Sequence, residues 1–425
     1  MSLDLKALEQ QHQTFIGAKL NLDLTRGKPS SKQLDLSNAL LTSIDVNVAS
    51  GNNPEGTDLR NYGGVSGLST SKKWFAELIG VPATEATDKV FVGSNSSLSL
   101  MHFCMWLAYY RGIRSANTGW QQEALATGGS IKMLCPSPGY DRHFSICEEL
   151  GIEMIPVPLT GAGPDMNIAK KLISDDPLIK GIWCVPRFSN PTGEIYSDEV
   201  VNEIAQLGKI AGDNFLVFWD NAYAVHTFKD GVKELANILT LAKVADCEDS
   251  ILHFASTSKI TFAGAGIAAV ASSKENIQAF SKHFSFRSIG PDKVNQFRHM
   301  QLLPDKQALV VHMQKHAELL KPKFDRVDEV LNAQLGNNKL GTWTKPDGGY
   351  FVSFNAQPGQ AKSIIALAAE AGVKLTPAGS VFPYKNDPED SNIRLAPSFP
   401  EMEELEKALQ IFCNCVKLSA ARKTG

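Results

Sequence analysis

Three short polar motifs follow apolar runs in the middle of the chain, and each carries side chains that can do chemistry. SNPTG contains Asn190, DNAY contains Asp220 and Tyr223, and STSK contains Ser256 and Lys259. A lysine amine that has lost its proton attacks aldehydes, and a buried carboxylate needs a cationic partner. The motifs lie 30 and 39 residues apart, counted from Asn190 to Asp220 and from Asp220 to Lys259. Each interval is long enough for a helical crossover between parallel strands.

The surroundings of the lysine and the aspartate favour buried positions. Lys259 begins the small, apolar stretch KITFAGAGIAAVA, and burial there would lower the pKa of its ammonium. The ordinary alternative is a surface lysine. Asp220 ends the apolar run FLVFWD, where it either caps a turn or faces a buried cation.

A second pattern is suited to binding a phosphate group. The sequence VGSNSSLSLMHFCMWLAYY predicts a strand, a polar turn with Ser94, Asn95 and Ser96, and an apolar helix. Backbone N–H groups at a helix N-terminus, with nearby hydroxyls, stabilise a dianion. The alternative is an ordinary Ser/Asn helix cap.

Seven short apolar runs alternate with helical stretches and should position these motifs. They are Lys89–Gly93, Ser130–Pro136, Ile152–Pro158, Lys180–Pro186, Phe215–Asp220, Ile251–Thr257 and Gly266–Ser272. The alternation predicts an α/β fold with a mostly parallel seven-stranded sheet that helices cover on both faces. Ligands of such sheets bind beyond the carboxyl ends of the strands, which is where the three motifs lie.

The remaining chain predicts further helices and a smaller α+β unit. Helices are expected at Leu3–Leu20 and at Pro304–Asn332, where Pro322 can introduce a kink. The stretch Asn61–Gly80 predicts a Gly turn, a Ser/Thr cap and then a helix. We expect residues 1–45 to form an N-terminal arm and part of the small domain, residues 46–305 the large domain, and residues 306–425 the small C-terminal domain.

Composition limits the classes of partner. The 425 residues are 43% hydrophobic, with 42 Lys and Arg against 45 Asp and Glu, which argues against disorder and against binding to nucleic acid or an anionic membrane. The seven cysteines suggest neither a disulfide framework nor a metal site. No signal peptide or membrane-spanning run is recognisable. We expect a cytoplasmic protein whose partners are small molecules and a second copy of itself.

The order of the motifs resembles the fold type I pyridoxal phosphate aminotransferases. SNPTG, DxxY and SxxK are followed, near the C-terminus, by an arginine in a short strand, Arg394 in NIRLAPS, and the resemblance runs from about Leu20 to the end. LTRGKPS, NYGGVSGL, VGSNSSLSL and STSKITFAGAG are most similar to subgroup Ic, a divergent bacterial branch of the aspartate aminotransferases. The resemblance implies pyridoxal 5′-phosphate as the cofactor and a homodimer.

The resemblance also implies a role for each matching residue. Lys259 would carry the cofactor and move a proton between the substrate Cα and C4′ of the cofactor, and Asp220 would pair with the pyridine nitrogen. The 3′-oxygen of the cofactor would be bound by Asn190 and Tyr223, and Tyr140 would stack on the ring, with His143 behind Asp220. The phosphate would be bound by Ser94, Asn95, Ser96 and Ser256, and by Tyr62 of the neighbouring subunit. The substrate α-carboxylate would be bound by Arg394, Asn190 and the backbone of Gly27.

One position departs from the family pattern. A phosphate-binding arginine usually follows the lysine in a GxR pattern, but this stretch reads AGAGIA, with Gly266 or Ile267 near that place. Either neutral donors hold the phosphate, or a cation such as Arg26 or Lys28 compensates. GAGIAA (Gly264–Ala269) also fits the dinucleotide fingerprint GxGxxA, but its apolar context predicts a strand where the fingerprint needs a helix, which argues against a dehydrogenase.

These observations predict a ping-pong aminotransferase, with L-aspartate and 2-oxoglutarate as the leading substrates. The alternatives are aromatic, kynurenine or 2-aminoadipate substrates, or a regulator that binds the cofactor without turnover. A regulator would need a DNA-binding module, and none fits before Leu20. The side-chain carboxylate of aspartate would need a second cation, for which the candidates are Arg26, Lys28, Arg287, Lys293 and Arg298.

Overall fold

The computed structural model describes residues 4–113, 118–212 and 214–424, so Leu3, where the first predicted helix begins, lies outside the described residues. The helices are α1 Leu5–Gly17, α2 Ser31–Asp35, α3 Val46–Ala49, α4 Ser69–Ile79, α5 Ala86–Lys89, α6 Ser97–Tyr110, α7 Trp120–Thr127, α8 Asp141–Glu149, α9 Met166–Asp175, α10 Asp198–Ala205, α11 Leu207–Ala211, α12 Ile238–Val244, α13 Lys274–Phe284, α14 Lys293–Leu302, α15 Lys306–Leu335, α16 Ala361–Glu370 and α17 Met402–Thr424. The strands are β1 Leu22–Asp23, β2 Val90–Val92, β3 Lys132–Ser137, β4 Glu153–Pro158, β5 Ile179–Cys184, β6 Leu216–Asp220, β7 Ile251–Ser256, β8 Ala268–Ala271, β9 Gly341–Trp343, β10 Val352–Ala356, β11 Val373–Lys374 and β12 Asn392–Leu395. Short 3₁₀ turns lie at Asn38–Leu41, Glu248–Ser250, Gly336–Asn338 and Pro383–Lys385.

The large sheet confirms the predicted α/β architecture. Its strand order is β2-β8-β7-β6-β5-β3-β4, and every neighbouring pair is parallel except the two that include β8. Strands β5 and β6 are buried along their whole length, as a sheet covered on both faces requires. Each predicted apolar run overlaps one strand, with ends displaced by at most two residues.

A second apolar core surrounds the three-stranded sheet β12-β10-β9. Leu22 and Leu24 from the N-terminal segment belong to this core, and β1 pairs in parallel with β11. Helix α15 joins the two cores, because Leu309 and Met313 pack under the large sheet while Phe324 packs in the second core. Leu22 and Leu24 therefore agree with a small-domain contribution from residues 1–45, whereas Leu309 and Met313 lie in the core of the large sheet although they follow residue 305. The predicted division at residues 45 and 305 stays a proposal.

The predicted Ser/Thr cap of helix α4 is wrong. The residue before the helix is Leu68, whose side chain cannot accept a hydrogen bond. The carboxylate of Glu55 instead accepts from the backbone N–H of Ser69 at 3.1 Å and of Thr70 at 2.7 Å. The Glu55 carboxylate therefore accepts hydrogen bonds from N–H groups that have no partner within the helix. Its negative charge also interacts favourably with the positive end of the helix dipole.

Candidate active site

The three polar motifs meet at one edge of the large sheet. Asp220 is the last residue of β6, and Ser256, which is half-buried, is the last residue of β7. Asn190 follows β5 and Lys259 follows β7, the two strands that flank β6. Because β5, β6 and β7 run parallel, their carboxyl ends share one edge, where ligands of such sheets bind.

Lys259 lies half-buried next to Tyr223, with its Nζ 4.9 Å from the centre of the Tyr223 ring. Burial lowers the pKa of the Lys259 ammonium, and the carboxylate of Asp220 partly opposes this shift. The Lys259 backbone carbonyl accepts from His226 Nε2 at 3.3 Å and from the Tyr350 hydroxyl at 3.4 Å. The main chain of the lysine is thus held from two sides, while its amine loses a proton more readily than that of an exposed lysine.

Asp220 is a buried carboxylate, with only 2% of its surface exposed. Its Oδ2 accepts from His143 Nε2 at 3.1 Å, and the His143 ring stacks on Trp183 with a centroid distance of 4.2 Å. Oδ1 is buried and has no hydrogen-bond partner. Such an oxygen is costly in a folded protein, so it is available to a cation or an N–H donor of a bound molecule.

Two tyrosines lie close to this carboxylate. Tyr223 is buried, and burial raises the pKa of its phenol well above the usual value, with the charge of Asp220 adding to the shift. Burial also raises the pKa of Tyr140, whose ring lies 5.0 Å from that of His143. Both phenols therefore keep their protons at neutral pH and can donate hydrogen bonds.

The turn that contains Ser94, Asn95 and Ser96 leads into helix α6. Ser94 adopts a left-handed backbone with a φ of 63°, and the Ser96 side chain accepts from the Ser99 N–H at 3.4 Å, which caps the helix. Ser258 Oγ donates to the carbonyl of Asn95 at 3.3 Å. The N-terminus of a 14-residue helix therefore lies beside the segment that carries the lysine, where its dipole favours an anion.

The positions where the family's GxR arginine is expected, Gly266 and Ile267, are both closely packed. A Cβ on Gly266 would lie 3.0 Å from the carbonyl oxygen of Asn95 and 3.1 Å from the Ser258 nitrogen. Ile267 is buried in the core, and its N–H donates to Thr257 Oγ1 at 3.0 Å. A side chain at Gly266 would press on this backbone and position 267 lies in the apolar core, which favours the alternative that neutral donors hold the phosphate.

Arg394, on β12, connects the small sheet to the SNPTG motif. Its Nη1 donates to Asn190 Oδ1 at 3.2 Å and to Asp141 Oδ1 at 3.1 Å, and its Nη2 donates to Thr376 Oγ1 at 3.2 Å. The guanidinium also lies 4.8 Å from the centre of the Phe351 ring. Sequence reasoning missed Asp141, Thr376 and Phe351. Only Asp141 left a signal, as a charged residue directly after the Tyr140 expected to stack on the cofactor.

Gly27 lies against the ring that supports Arg394. A Cβ on Gly27 would lie 2.0 Å from Phe351 Cζ, so no other residue fits there without a rearrangement. Its neighbours Arg26 and Lys28 are the candidate cations that flank this contact. Arg26 is exposed and pairs with Asp23, and Lys28 Nζ lies 3.9 Å from the centre of the Phe399 ring.

The other three candidate cations are placed differently. Lys293 is buried and donates to the carbonyl oxygens of Asn61 at 2.6 Å and Gly63 at 3.0 Å, so it holds the loop that presents Tyr62. Tyr62 is 81% exposed. Arg287 lies against the Phe103 and Phe284 rings, and Arg298 on α14 has a buried Nε without a hydrogen-bond partner.

Two kinds of feature are absent from residues 4–113, 118–212 and 214–424. No group of three or more His, Cys, Asp or Glu side chains could hold a metal ion. No helix there combines the length and apolar character needed to cross a bilayer.

A lysine of lowered pKa, a buried aspartate and a helix N-terminus meet at the carboxyl edge of a mostly parallel seven-stranded sheet. This combination defines the class of fold type I pyridoxal phosphate enzymes, in which a neutral lysine and a buried acid act on the cofactor.

Comparison with known proteins narrows the class to a family. The sequence profile described as aspartate amino-transferase matches residues 2–425. The aspartate aminotransferase of Corynebacterium glutamicum is 44% identical over 405 residues, which is 95% of this chain and 90% of that protein. The crystal structure of an aspartate transaminase from the same species has a TM-score of 0.93 and 41% identity, and covers 99% of this chain and 96% of that chain. The chain belongs to the aspartate aminotransferase family, and the resemblance found in the sequence is confirmed.

A more distant structure shares the fold alone. The α-aminoadipate aminotransferase LysN of Thermus thermophilus, solved with N-(5′-phosphopyridoxyl)-L-leucine, has a TM-score of 0.74 at 19% identity, and covers 95% of this chain and 94% of that chain. The family implies pyridoxal phosphate as the cofactor and aminotransfer as the reaction.

Proposed function

We propose that this protein is a pyridoxal phosphate-dependent aspartate transaminase, which converts L-aspartate and 2-oxoglutarate to oxaloacetate and L-glutamate by a ping-pong mechanism. The observation that carries the proposal is that half-buried Lys259 and buried Asp220 lie at the same edge of the sheet, where the charge of Asp220 acts on the Lys259 ammonium and Asp220 Oδ1 has no hydrogen-bond partner. The 44% identity to an aspartate aminotransferase supports aspartate as the amino donor.

The described residues fit the cofactor that the family implies. Asp220 Oδ1 is suited to the protonated pyridine nitrogen, since a buried carboxylate is stabilised by an adjacent positive charge. The Ser94–Ser96 turn and Ser256 offer N–H and hydroxyl donors to the phosphate, and Gly266 keeps that turn free of a side chain. When bound, the cofactor withdraws electrons from the substrate Cα and carries the amino group between the two substrates.

The chain's own side chains then have distinct tasks. Lys259, whose pKa is lowered by burial, would supply the amine that holds the cofactor and would then hold the proton taken from the substrate Cα. Tyr223 and Asn190 would donate hydrogen bonds to the 3′-oxygen, and Tyr140 would pack against the ring. Arg394 would bind the α-carboxylate through its planar fork, with the backbone of Gly27 close above Phe351.

We also propose a homodimer. Tyr62, Phe286 and Ile289 are exposed, and their segments adjoin, because a Cβ on Gly290 would lie 2.3 Å from the carbonyl oxygen of Gly63. Neighbouring exposed apolar side chains favour a protein interface, which agrees with the implied reach of Tyr62 to the partner's phosphate site. The seven cysteines are buried free thiols, which supports the expected cytoplasmic location.

A half-reaction screen tests the proposed substrate. The cofactor-loaded protein is mixed with single amino acids and no oxo acid, and the decay of the visible absorbance is followed. Aspartate is expected to react at least about tenfold more efficiently than tyrosine or kynurenine, which lack a side-chain carboxylate and so lose an ionic contact worth about 1.4 kcal/mol or more. It should also react more efficiently than 2-aminoadipate, whose side-chain carboxylate lies farther from Cα and would not reach the same cation. A faster reaction with one of the other three would identify a different substrate, and no reaction with any amino acid would favour a regulator.

Gly266→Ala tests the phosphate site. The added Cβ would press on the carbonyl of Asn95 and the backbone of Ser258, so we expect the dissociation constant for pyridoxal phosphate to rise about tenfold, or about 1.4 kcal/mol. Quenching of tryptophan fluorescence in the cofactor-free protein measures it. Gly264→Ala is the matched control, because a Cβ there meets no atom within 4 Å. Equal affinities in the two variants would contradict the assignment.

A further inference from the structure

The guanidinium of Arg394 already has a carboxylate partner within the chain. Asp141 Oδ1 lies 3.1 Å from Arg394 Nη1, and the exposed fractions of the two side chains are 33% and 8%. Asp141 is the first residue of α8 and directly follows Tyr140. A negative charge of the large domain therefore lies at the group that is proposed to bind the substrate α-carboxylate.

Three of the five N–H donors of Arg394, including both on Nη1, already have acceptors within the chain. A guanidinium has five N–H groups. Asp141 and Asn190 accept from Nη1, Thr376 accepts from Nη2, and Nε is buried without a partner. A carboxylate that binds Nη1 and Nη2 together, in the bidentate manner that arginine favours, must displace an acceptor from Nη1, because both N–H groups of Nη1 are taken. Of the two N–H groups that remain, the one on Nε is buried, so the Nη1 side is the more accessible one.

Of the two acceptors on Nη1, Asp141 is the one that can leave. Asn190 is buried, so its oxygen would lose its partner without gaining water. Asp141 is one-third exposed in the first turn of a helix, where water and the helix dipole can stabilise a released carboxylate.

We propose that Asp141 is an exchangeable counter-ion of Arg394, which the α-carboxylate of each substrate displaces, and that it thereby sets the affinity for carboxylate substrates. This inference rests on the proposed function of Arg394. Before substrate binds, Asp141 offsets the cost of keeping a guanidinium buried. Once displaced, it repels the bound carboxylate, which weakens binding and speeds the release of each oxo acid in the ping-pong cycle.

Asp141→Asn separates the charge from the contact, because asparagine keeps the size and an acceptor oxygen. The probe is succinate, a dicarboxylate without an amino group, and its binding to the cofactor-loaded protein is measured by titration calorimetry. We expect the dissociation constant of succinate to fall about tenfold in Asp141→Asn, or about 1.4 kcal/mol. The KM values for aspartate and 2-oxoglutarate should fall by a similar factor, while kcat does not rise. An unchanged or increased dissociation constant would overturn the proposal.

Two variants control for other effects of the substitution. Asp176→Asn is matched, because Asp176 is 28% exposed and pairs with Lys132 at 2.6 Å, at the amino end of β3. It should leave succinate binding unchanged, which excludes a general effect of net charge. Asp141→Glu keeps the charge, and tighter binding in this variant would overturn the proposal. Melting curves of each variant show that folded proteins are compared.

A conservative substitution of Arg394 distinguishes failure of the Asp141 proposal from failure of the proposed carboxylate site. Arg394→Lys removes the planar fork and should weaken succinate binding at least about tenfold, or about 1.4 kcal/mol. If it does so while Asp141→Asn changes nothing, only the role of Asp141 fails. If Arg394→Lys leaves succinate binding intact, the proposed carboxylate site fails, and the role of Asp141 fails with it.

Discussion

Lys259→Ala is expected to lose the visible absorbance of the bound cofactor and to lower turnover at least about 10⁴-fold. The variant lacks the amine that is proposed to bind the cofactor covalently and to move the proton at the substrate Cα. Lys259→Arg should be equally inactive, since a guanidinium does not give up its proton in a protein. Absorbance spectra and steady-state rates at saturating aspartate and 2-oxoglutarate measure the two effects.

Lys72→Ala is the matched control for this loss. Lys72 is only 6% exposed, burial lowers its pKa as it does for Lys259, and it donates to Ser66 Oγ at 2.7 Å and to the Thr87 carbonyl at 3.1 Å. Its removal should reduce stability, because it leaves these acceptors without a partner, yet it should keep the visible band. A Lys259→Ala protein that keeps the band, or more than about one per cent of the turnover, would contradict the assignment.

The large sheet could be predicted from the sequence because a sheet covered on both faces needs continuous apolar runs. The run FLVFWD predicts the bounds of β6 to within one residue and places Asp220 at the end of the strand. The reversed direction of β8 was not predicted, because it depends on how the loop of residues 257–267 folds back, with Thr257 N–H donating to the Ile267 carbonyl at 2.9 Å. Local patterning predicts which residues form strands but not how each strand pairs.

The same limit applies to the site. Asn190, Asp220 and Lys259 could be placed together because each follows or ends a predicted strand. The contact between Asp141 and Arg394 joins residues 253 positions apart, and no local pattern predicts it. For the same reason, the sequence could not rank the five candidate cations for the substrate's side-chain carboxylate. Only the folded chain shows, for example, that Lys293 donates hydrogen bonds to the carbonyls of a distant loop.

Asp220→Ala is expected to keep the cofactor bound but to lower turnover at least about 10³-fold, or about 4 kcal/mol. The buried Oδ1 is the proposed partner of the pyridine nitrogen, and without its charge that nitrogen loses its proton and the ring withdraws electrons from the substrate less strongly. Rates are measured by stopped-flow absorbance with aspartate, and cofactor content by absorbance after release in alkali.

Asp220→Asn distinguishes control of the ring's charge from simple anchoring. Asparagine keeps an acceptor for His143 Nε2, which lies 3.1 Å from Asp220 Oδ2, and it keeps a polar atom facing the ring, but it carries no charge. If Asp220 served only to anchor the cofactor, Asp220→Asn would be nearly as active as the wild type and excess cofactor would restore Asp220→Ala. We expect both variants to stay inactive at saturating cofactor. If the carboxylate stabilises the protonated ring by its charge, as proposed, an uncharged isostere cannot replace it.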